Sequence, residues 1–269
     1  MSNAEYHSKK DHESSSSIRD ALLNPKKYIF RKTHETVPTK AMEEGTAVHT
    51  YFLENDLFKK NYVFKPKAFK GTTKEGKAWM KEHGHLNILS AEWEENLIQM
   101  NHNFLNSPAK FIYDKEGLAE LSYFWDDLYK IKGKCRPDWL SSDGNTVVDL
   151  KTTQDASPKG FQKSISNFSY HIQCAWYLRG LRKLGVPAKE FIFIAIEKTA
   201  PYCIGVYRAD EDMINVGMSE VEKSLELLRI CQETKLYPDY TPTIQDISLP
   251  PWMTNKKVTP QNYQEIELY

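Results

Sequence analysis

Cysteine is sparse in this sequence and nowhere paired. The four are Cys135, Cys174, Cys203 and Cys231, and no two form a CxxC. That excludes a zinc ribbon or a clustered-thiolate iron–sulfur site, and leaves reduced, mostly buried thiols as the expectation. No apolar run approaches the ~20 residues that span a bilayer, so no membrane association is expected. The N-terminal stretch is polar and serine-rich, without the apolar centre of a secretory signal, so the cytoplasm is the expected compartment. A charge of one sign is missing too: 36 Lys and Arg balance 36 Asp and Glu. A strongly basic whole-surface binder of polyanions is thereby excluded, though not a local basic patch. Lys65, Lys67, Lys70, Lys74, Lys77 and Lys81 form one basic block, and Lys130, Lys132, Lys134 and Arg136 alternate along one predicted strand. No internal repeat or low-complexity linker divides the chain, and its length suits one sizeable core or two modest ones.

The most informative stretch is Lys134 to Thr153. Asp143-Gly144 predicts a tight two-residue turn, because Asp and Gly tolerate positive φ. The fold-back places Asp138 opposite Asp149. Alternation along the strand puts Asp149 and Lys151 on one face, with Asp138 beside them. Two opposed carboxylates repel unless a cation lies between them, so the pattern asks for a hard, oxygen-seeking divalent ion.

Elsewhere the pattern alternates helix and strand. Residues 1–13 are polar and expected to be disordered. Ser17 is a candidate cap for a short helix stopped near Asn24-Pro25. Met42 to Phe58 reads as one helix, with Gly45 and His49 one turn apart. The small residue leaves room beside the imidazole, although a lone histidine is as readily structural. Residues 60–90 read as loop around a helix from Lys74 to His83. Ala91 to Leu105 is a helix with an apolar stripe. Strands are predicted over Glu120–Leu128, Tyr129–Leu140 and Thr146–Thr153, then helices over Ser157–Ser166 and Tyr170–Leu184. Strands follow at Phe191–Ile196 and Tyr202–Tyr207, then a long helix over Asp210–Lys235. The Pro-rich stretch Leu249–Trp252 is expected to pack on the body. This order predicts an α/β domain with a mixed central sheet flanked by helices.

Pro137-Asp138 followed by Asp149-Leu150-Lys151 resembles the PD-(D/E)xK nuclease core. Gly45-Thr-Ala-Val-His49 resembles the upstream histidine motif of its RecB-like branch, and Gln173-Cys-Ala-Trp-Tyr177 the downstream Gln-x-x-x-Tyr motif. The stretches Ser17 to Tyr28 and Thr73 to Trp79 are similar to the RecE-type exodeoxyribonuclease VIII family. The resemblance implies a restriction-endonuclease-like domain over residues 14–255, followed by a tail over 256–269. It implies Asp138, Asp149 and Lys151 as catalytic residues. Metal ligands would come from His49, Asp138, Asp149 and the Leu150 carbonyl, with Glu120 as a further acidic ligand; the imidazole would admit Mn²⁺ beside Mg²⁺. Gln173, Tyr177, Arg136 and Thr152 would contact DNA or support the site. The implied activity is digestion of one strand of linear duplex DNA from a 5′ end, leaving 5′-phosphorylated products. A RecT-like single-strand annealing partner, a ring-shaped homo-oligomer and a bacterial or phage origin are implied with it. A RecB-like endonuclease or defence nuclease, and a non-catalytic DNA-binding module, remain the alternatives.

Overall fold

A computed structural model describes residues 1, 3–34, 37–69, 72–241 and 243–250. The chain begins with helix α1 (Asn3–Ser8), strand β1 (His12–Glu13), α2 (Ser15–Leu23) and α3 (Pro25–Thr33). Next come α4 (Lys40–Leu53), α5 (Asn55–Asn61), β2 (Tyr62–Lys65), α6 (Lys74–Glu82), β3 (Asn87–Ser90), α7 (Ala91–Leu105) and α8 (Phe111–Asp114). The strands β4 (Gly117–Ala119), β5 (Tyr123–Asp126), β6 (Lys132–Cys135), β7 (Trp139–Ser141) and β8 (Thr146–Thr153) follow. The chain continues with α9 (Pro158–Phe168), α10 (Tyr170–Lys183), β9 (Glu190–Glu197), β10 (Ile204–Arg208) and α11 (Glu211–Thr234).

The central sheet has the order β10-β9-β8-β7-β4. It is mixed: β8 and β9 run parallel across the α9–α10 crossover, and the other neighbours are antiparallel. Both faces are covered. Val147, Phe191, Phe193 and Ala195 pack with α2, α10 and α11, whereas Val148, Leu150, Ile194 and Ile196 pack with α4 and α7. Burial on both faces explains why β9 reads as a near-continuous apolar run rather than an alternating one. A smaller sheet, β1-β6-β5, lies beside α10. Its Trp125 ring lies so close to Gly133 and Gly180 that a methyl at either would fall within 2.4 Å of ring carbons. Among the described residues no helix is long and apolar enough to cross a membrane.

Several expectations change. The strand expected over Tyr129–Leu140 is broken at Arg136-Pro137-Asp138, and its halves belong to different sheets. Pro137 has no N–H for a ladder, so the chain crosses between sheets there. Glu120 lies outside any strand, just past β4, in the left-handed region at φ 56°. Residues 60–90 hold a parallel strand pair, β2 and β3. The single helix expected over Met42–Phe58 breaks at Glu54 into α4 and α5. Ser14, not Ser17, caps α2; Ser17 completes the capping box from the third helical position. Asn24 ends α2 and also caps α3, with Pro25 in the first turn, so Tyr28, Ile29 and Phe30 are helical. Residues 3–13, expected to be disordered, form α1 and β1. Buried Tyr6 and the pairing of β1 with β6 hold them in place. Three cysteines are buried, while Cys203 is exposed. The expected packing of Leu249–Trp252 and the tail 256–269 fall partly or wholly outside the described residues.

Trp176 anchors the α10 face. It is fully buried, packs 4.8 Å from the Trp125 ring, and donates from Nε1 to the Lys134 carbonyl at 3.1 Å. Trp176→Ala is expected to cost about 3–5 kcal/mol through the cavity alone. Trp176→Phe should cost less, about 1–3 kcal/mol, mainly from the orphaned carbonyl. Urea midpoints at unchanged slope would measure both, and near-wild-type stability of the alanine variant would contradict this packing.

Candidate metal centre

The β7–β8 hairpin sets the site. Trp139 pairs with Val148 and Leu140 with Val147. Continuing the ladder by one rung puts Asp138 beside Asp149, as the sequence predicts. The turn is wider than expected. Gly144 donates its N–H to the Ser141 carbonyl, and Gly144 alone adopts positive φ (72°) while Asp143 does not. The Asp143 carboxylate instead accepts from the Ser141 hydroxyl and the Asn145 N–H. The register survives because the wider loop is symmetric about the same two residues.

Asp138, next to a proline and one residue before β7, is tied by its side chain rather than by a ladder bond. Its Oδ2 accepts the Leu150 N–H at 2.6 Å and lies 3.4 Å from His49 Nδ1. Its carbonyl accepts the Glu120 N–H at 3.2 Å, which draws the left-handed Glu120 turn against the site. A non-glycine residue in this backbone region stores strain of the kind that collects at functional sites. Arg136 Nε donates to Glu120 Oε2 at 2.6 Å and so holds that carboxylate in place. One atom each from His49, Glu120 and Asp138 lies within 4.8 Å of the others.

Asp149 stands beside this group rather than in it. It is 2% exposed; its Oδ1 accepts from Gln173 Nε2 at 2.5 Å. Its Oδ2 lies 2.6 Å from Lys151 Nζ, yet no hydrogen bond of good alignment reaches that oxygen. Gln173 therefore holds one carboxylate oxygen by a hydrogen bond, and Lys151 holds the other as an ion pair. Lys151 Nζ also sits 4.7 Å from the centre of the Tyr170 ring. Tyr170 is absent from the sequence-level candidates, although Tyr170, Gln173 and Tyr177 share the i, i+3, i+7 face of α10.

The electrostatics follow from crowding charges out of water. Burial, assisted by the charge of Asp138, pushes the Asp149 carboxyl up to about 6 against the pull of Lys151. Burial also pushes Glu120 up to about 7, with Asp138 adding to it and Arg136 opposing. Burial would raise Asp138 as well, but His49, Lys151 and the Leu150 N–H outweigh it and hold that carboxyl low. For His49 and Lys151 burial favours the neutral form, yet the neighbouring carboxylates win and raise both.

His49, Glu120 and Lys151 line a cleft of ≈ 590 Å³ together with Gly45, Thr152, Leu150 and Tyr177; the buried Asp138 and Asp149 carboxylates adjoin it through His49 and Lys151. A methyl on Gly45 would meet only Thr152 Oγ1, at 3.7 Å, so the helix is open toward the cleft as its sequence suggests. Tyr6 and His7 of α1 also line it, and the expectation of disorder concealed them. Of the basic alternation Lys130, Lys132, Lys134 and Arg136, Arg136 alone lines the cleft. Lys134 is buried and donates to the Tyr6 and Lys9 carbonyls, and Lys132 reaches Asp11.

The donor set suits a hard divalent cation. Two carboxylates and an imidazole converge, and a buried oxygen of Asp149 lacks an aligned donor. A family model described as a PDDEXK-like domain of unknown function (DUF3799) matches residues 14–249. The chain belongs to the DUF3799 family. This DUF3799 chain is similar in structure to the "putative exonuclease" of Eubacterium rectale, with TM-score 0.63 and 17% identity over 96% of this chain and 99% of that one. Looser likenesses are to a phage-related exonuclease from Haemophilus somnus (TM-score 0.37, 12% identity, 84% and 96% covered) and the alkaline exonuclease LHK-Exo from Laribacter hongkongensis (0.36, 11%, 87% and 96%). No curated protein matches the sequence. Family and first neighbour agree on the restriction-endonuclease-like fold expected from the sequence.

Proposed function

We propose that this chain is a divalent-metal-dependent exonuclease acting on linear duplex DNA. One observation carries the reading: His49, Glu120 and Asp138 converge beside an Asp149–Lys151 pair, and His49, Glu120 and Lys151 of this group line one cleft. His49, Asp138 and Asp149 would hold the ion, with Glu120 and the Leu150 carbonyl as further ligands and Mg²⁺ or Mn²⁺ as the metal. Such an ion lowers the pKa of bound water and neutralises charge on a phosphodiester.

The chain's own residues supply the rest. Lys151, kept charged by two carboxylates, would stabilise the negative charge that develops on the phosphoryl oxygens. Gln173 orients Asp149, Arg136 orients Glu120, and Thr152 at the cleft wall offers a hydroxyl to a phosphate. Tyr177 closes the floor. By the family resemblance the enzyme would proceed 5′ to 3′, release 5′-phosphorylated products, form a ring and hand its single strand to a RecT-like annealing protein in recombination.

The test uses end-labelled linear duplex, with a 5′-phosphate or a 5′-hydroxyl, beside a covalently closed circle, all with Mg²⁺. Linear DNA should be digested, faster from the phosphorylated end, and the circle should stay intact. Cutting of the circle would favour an endonuclease of the RecB or defence type. Absence of metal-dependent nucleotide release would favour a non-catalytic DNA-binding module.

A further inference from the structure

Helix α6 belongs to neither core and presents two opposite stripes. Gly76, Trp79 and His83 follow i, i+3, i+7 spacing and face inward: Gly76 is buried, and the Trp79 ring stacks on His83 at 4.2 Å and near Phe69 at 6.4 Å. Lys74, Lys77 and Lys81 follow the same spacing, displaced by two residues and so by about 200°, which turns them away from the body. All three are exposed, and among the described residues no carboxylate pairs with them. Nearby Lys67, by contrast, pairs with Glu95 at 2.7 Å. The acidic residues of the helix, Glu75 and Glu82, lie on its flank. The Thr73 side chain caps the helix by accepting the Gly76 N–H, which fixes where the stripe starts.

The position of the stripe gives it meaning. The segment carrying α6 joins β2 to β3, and Tyr62 and Asn87, the paired first residues of those strands, line the cleft that holds His49 and Glu120. Lys81 is six residues from Asn87, so it lies within about 20 Å of the cleft wall. From Lys74 to Lys81 the helix rises about 10 Å, the axial rise of about three phosphates along one strand of a duplex.

We propose that the outward lysine stripe of α6 is a landing surface for the phosphates of duplex DNA flanking the cleft. This rests on the nuclease reading of the cleft. The stripe holds the part of the duplex that is not being cut, and acts without regard to sequence. It confers affinity on long duplexes and contributes nothing to the reacting atoms.

The test compares full-length wild type with the triple variant Lys74→Gln, Lys77→Gln, Lys81→Gln. Glutamine keeps helix propensity, and an unchanged circular dichroism spectrum and melting temperature would confirm the fold. Binding of a labelled 30-base-pair duplex is measured in EDTA across a salt series, and digestion of the same duplex separately in Mg²⁺. Losing three phosphate contacts should flatten the slope of log K against log salt by about 2.7 and weaken binding roughly five-hundredfold at 0.1 M salt. The maximal rate at saturating duplex should stay within about twofold, since no contact to the reacting phosphate is lost. An unchanged slope, or a wild type that binds no duplex, would overturn the landing surface. A flattened slope in a protein that digests nothing would keep the landing surface and remove the nuclease reading.

Discussion

Asp138→Asn is expected to abolish metal-dependent digestion of linear duplex DNA, by at least ~10³-fold, and with it the stabilisation that Mg²⁺ or Mn²⁺ gives the wild type. The amide is isosteric and its oxygen can still accept the Leu150 N–H, so the hairpin should persist. What goes is the charge that faces His49 and adjoins Asp149. Loss of about 4 kcal/mol of metal-derived transition-state stabilisation corresponds to that rate. In the wild type, metal at a hundred times its Kd adds about 2.7 kcal/mol to folding, or about 5–10 °C in Tm. The variant should show no such shift. Without metal, pH gives a second signature. Asp149, raised to about 6, and Glu120, raised to about 7, make the folded chain bind more protons than the unfolded one between about pH 4 and 7, and the raised His49 adds to this at the upper end. Metal-free stability therefore falls as pH rises through that window, and saturating metal opposes the fall. Asp138→Asn removes one of the charges that raises Asp149 and Glu120, so its decline should be shallower. A variant that keeps both the metal-induced shift and the activity would remove Asp138 from the centre.

Lys151→Met should separate chemistry from metal binding. Its ammonium lies 2.6 Å from Asp149 and touches no part of the His49–Glu120–Asp138 group closely enough to serve as its scaffold. Methionine fills a similar volume without charge. The expected result is a fall in kcat of about 10²–10³-fold with KM little changed, as for loss of a charge-stabilising donor. The metal-induced rise in Tm should remain. Asp149 would lose its buried partner and be pushed further up, so some loss of metal-free stability is expected as well. Lys151→Arg should not rescue the rate, because a planar guanidinium cannot reproduce a compact ammonium against the Tyr170 ring. Equal losses of kcat and of the metal shift would instead make Lys151 a structural support of the ion.

The sequence made the hairpin legible because its turn signal is local. Asp143-Gly144 marks the centre of the fold-back, and pairing about that centre, as Trp139 with Val148 and Leu140 with Val147, brings Asp138 to Asp149. Helices with a complete apolar stripe, such as Ala91–Leu105 and the segment capped by Asp210, were legible because their period is local too. Long-range partnerships were hidden. Nothing local says that Lys134 is spent on the carbonyls of Tyr6 and Lys9, or that Gln173 turns to Asp149. The N-terminal residues looked disordered because their order comes from pairing with β6, more than a hundred residues away. Glu120 looked like a strand residue because its neighbours alternate; its left-handed backbone depends on the Asp138 carbonyl, which periodicity does not encode.

The symmetric turn at Ser142–Asn145 constrains how this chain can vary in length. Deleting or inserting two residues there leaves the paired strands in phase. Adding or removing a single residue rotates one strand by half a period, and either exiles Asp149 and Lys151 to the opposite side of the sheet or forces a bulge to absorb the change. Relatives that keep the cleft should therefore differ at this tip by even numbers of residues, or carry a compensating bulge beside it.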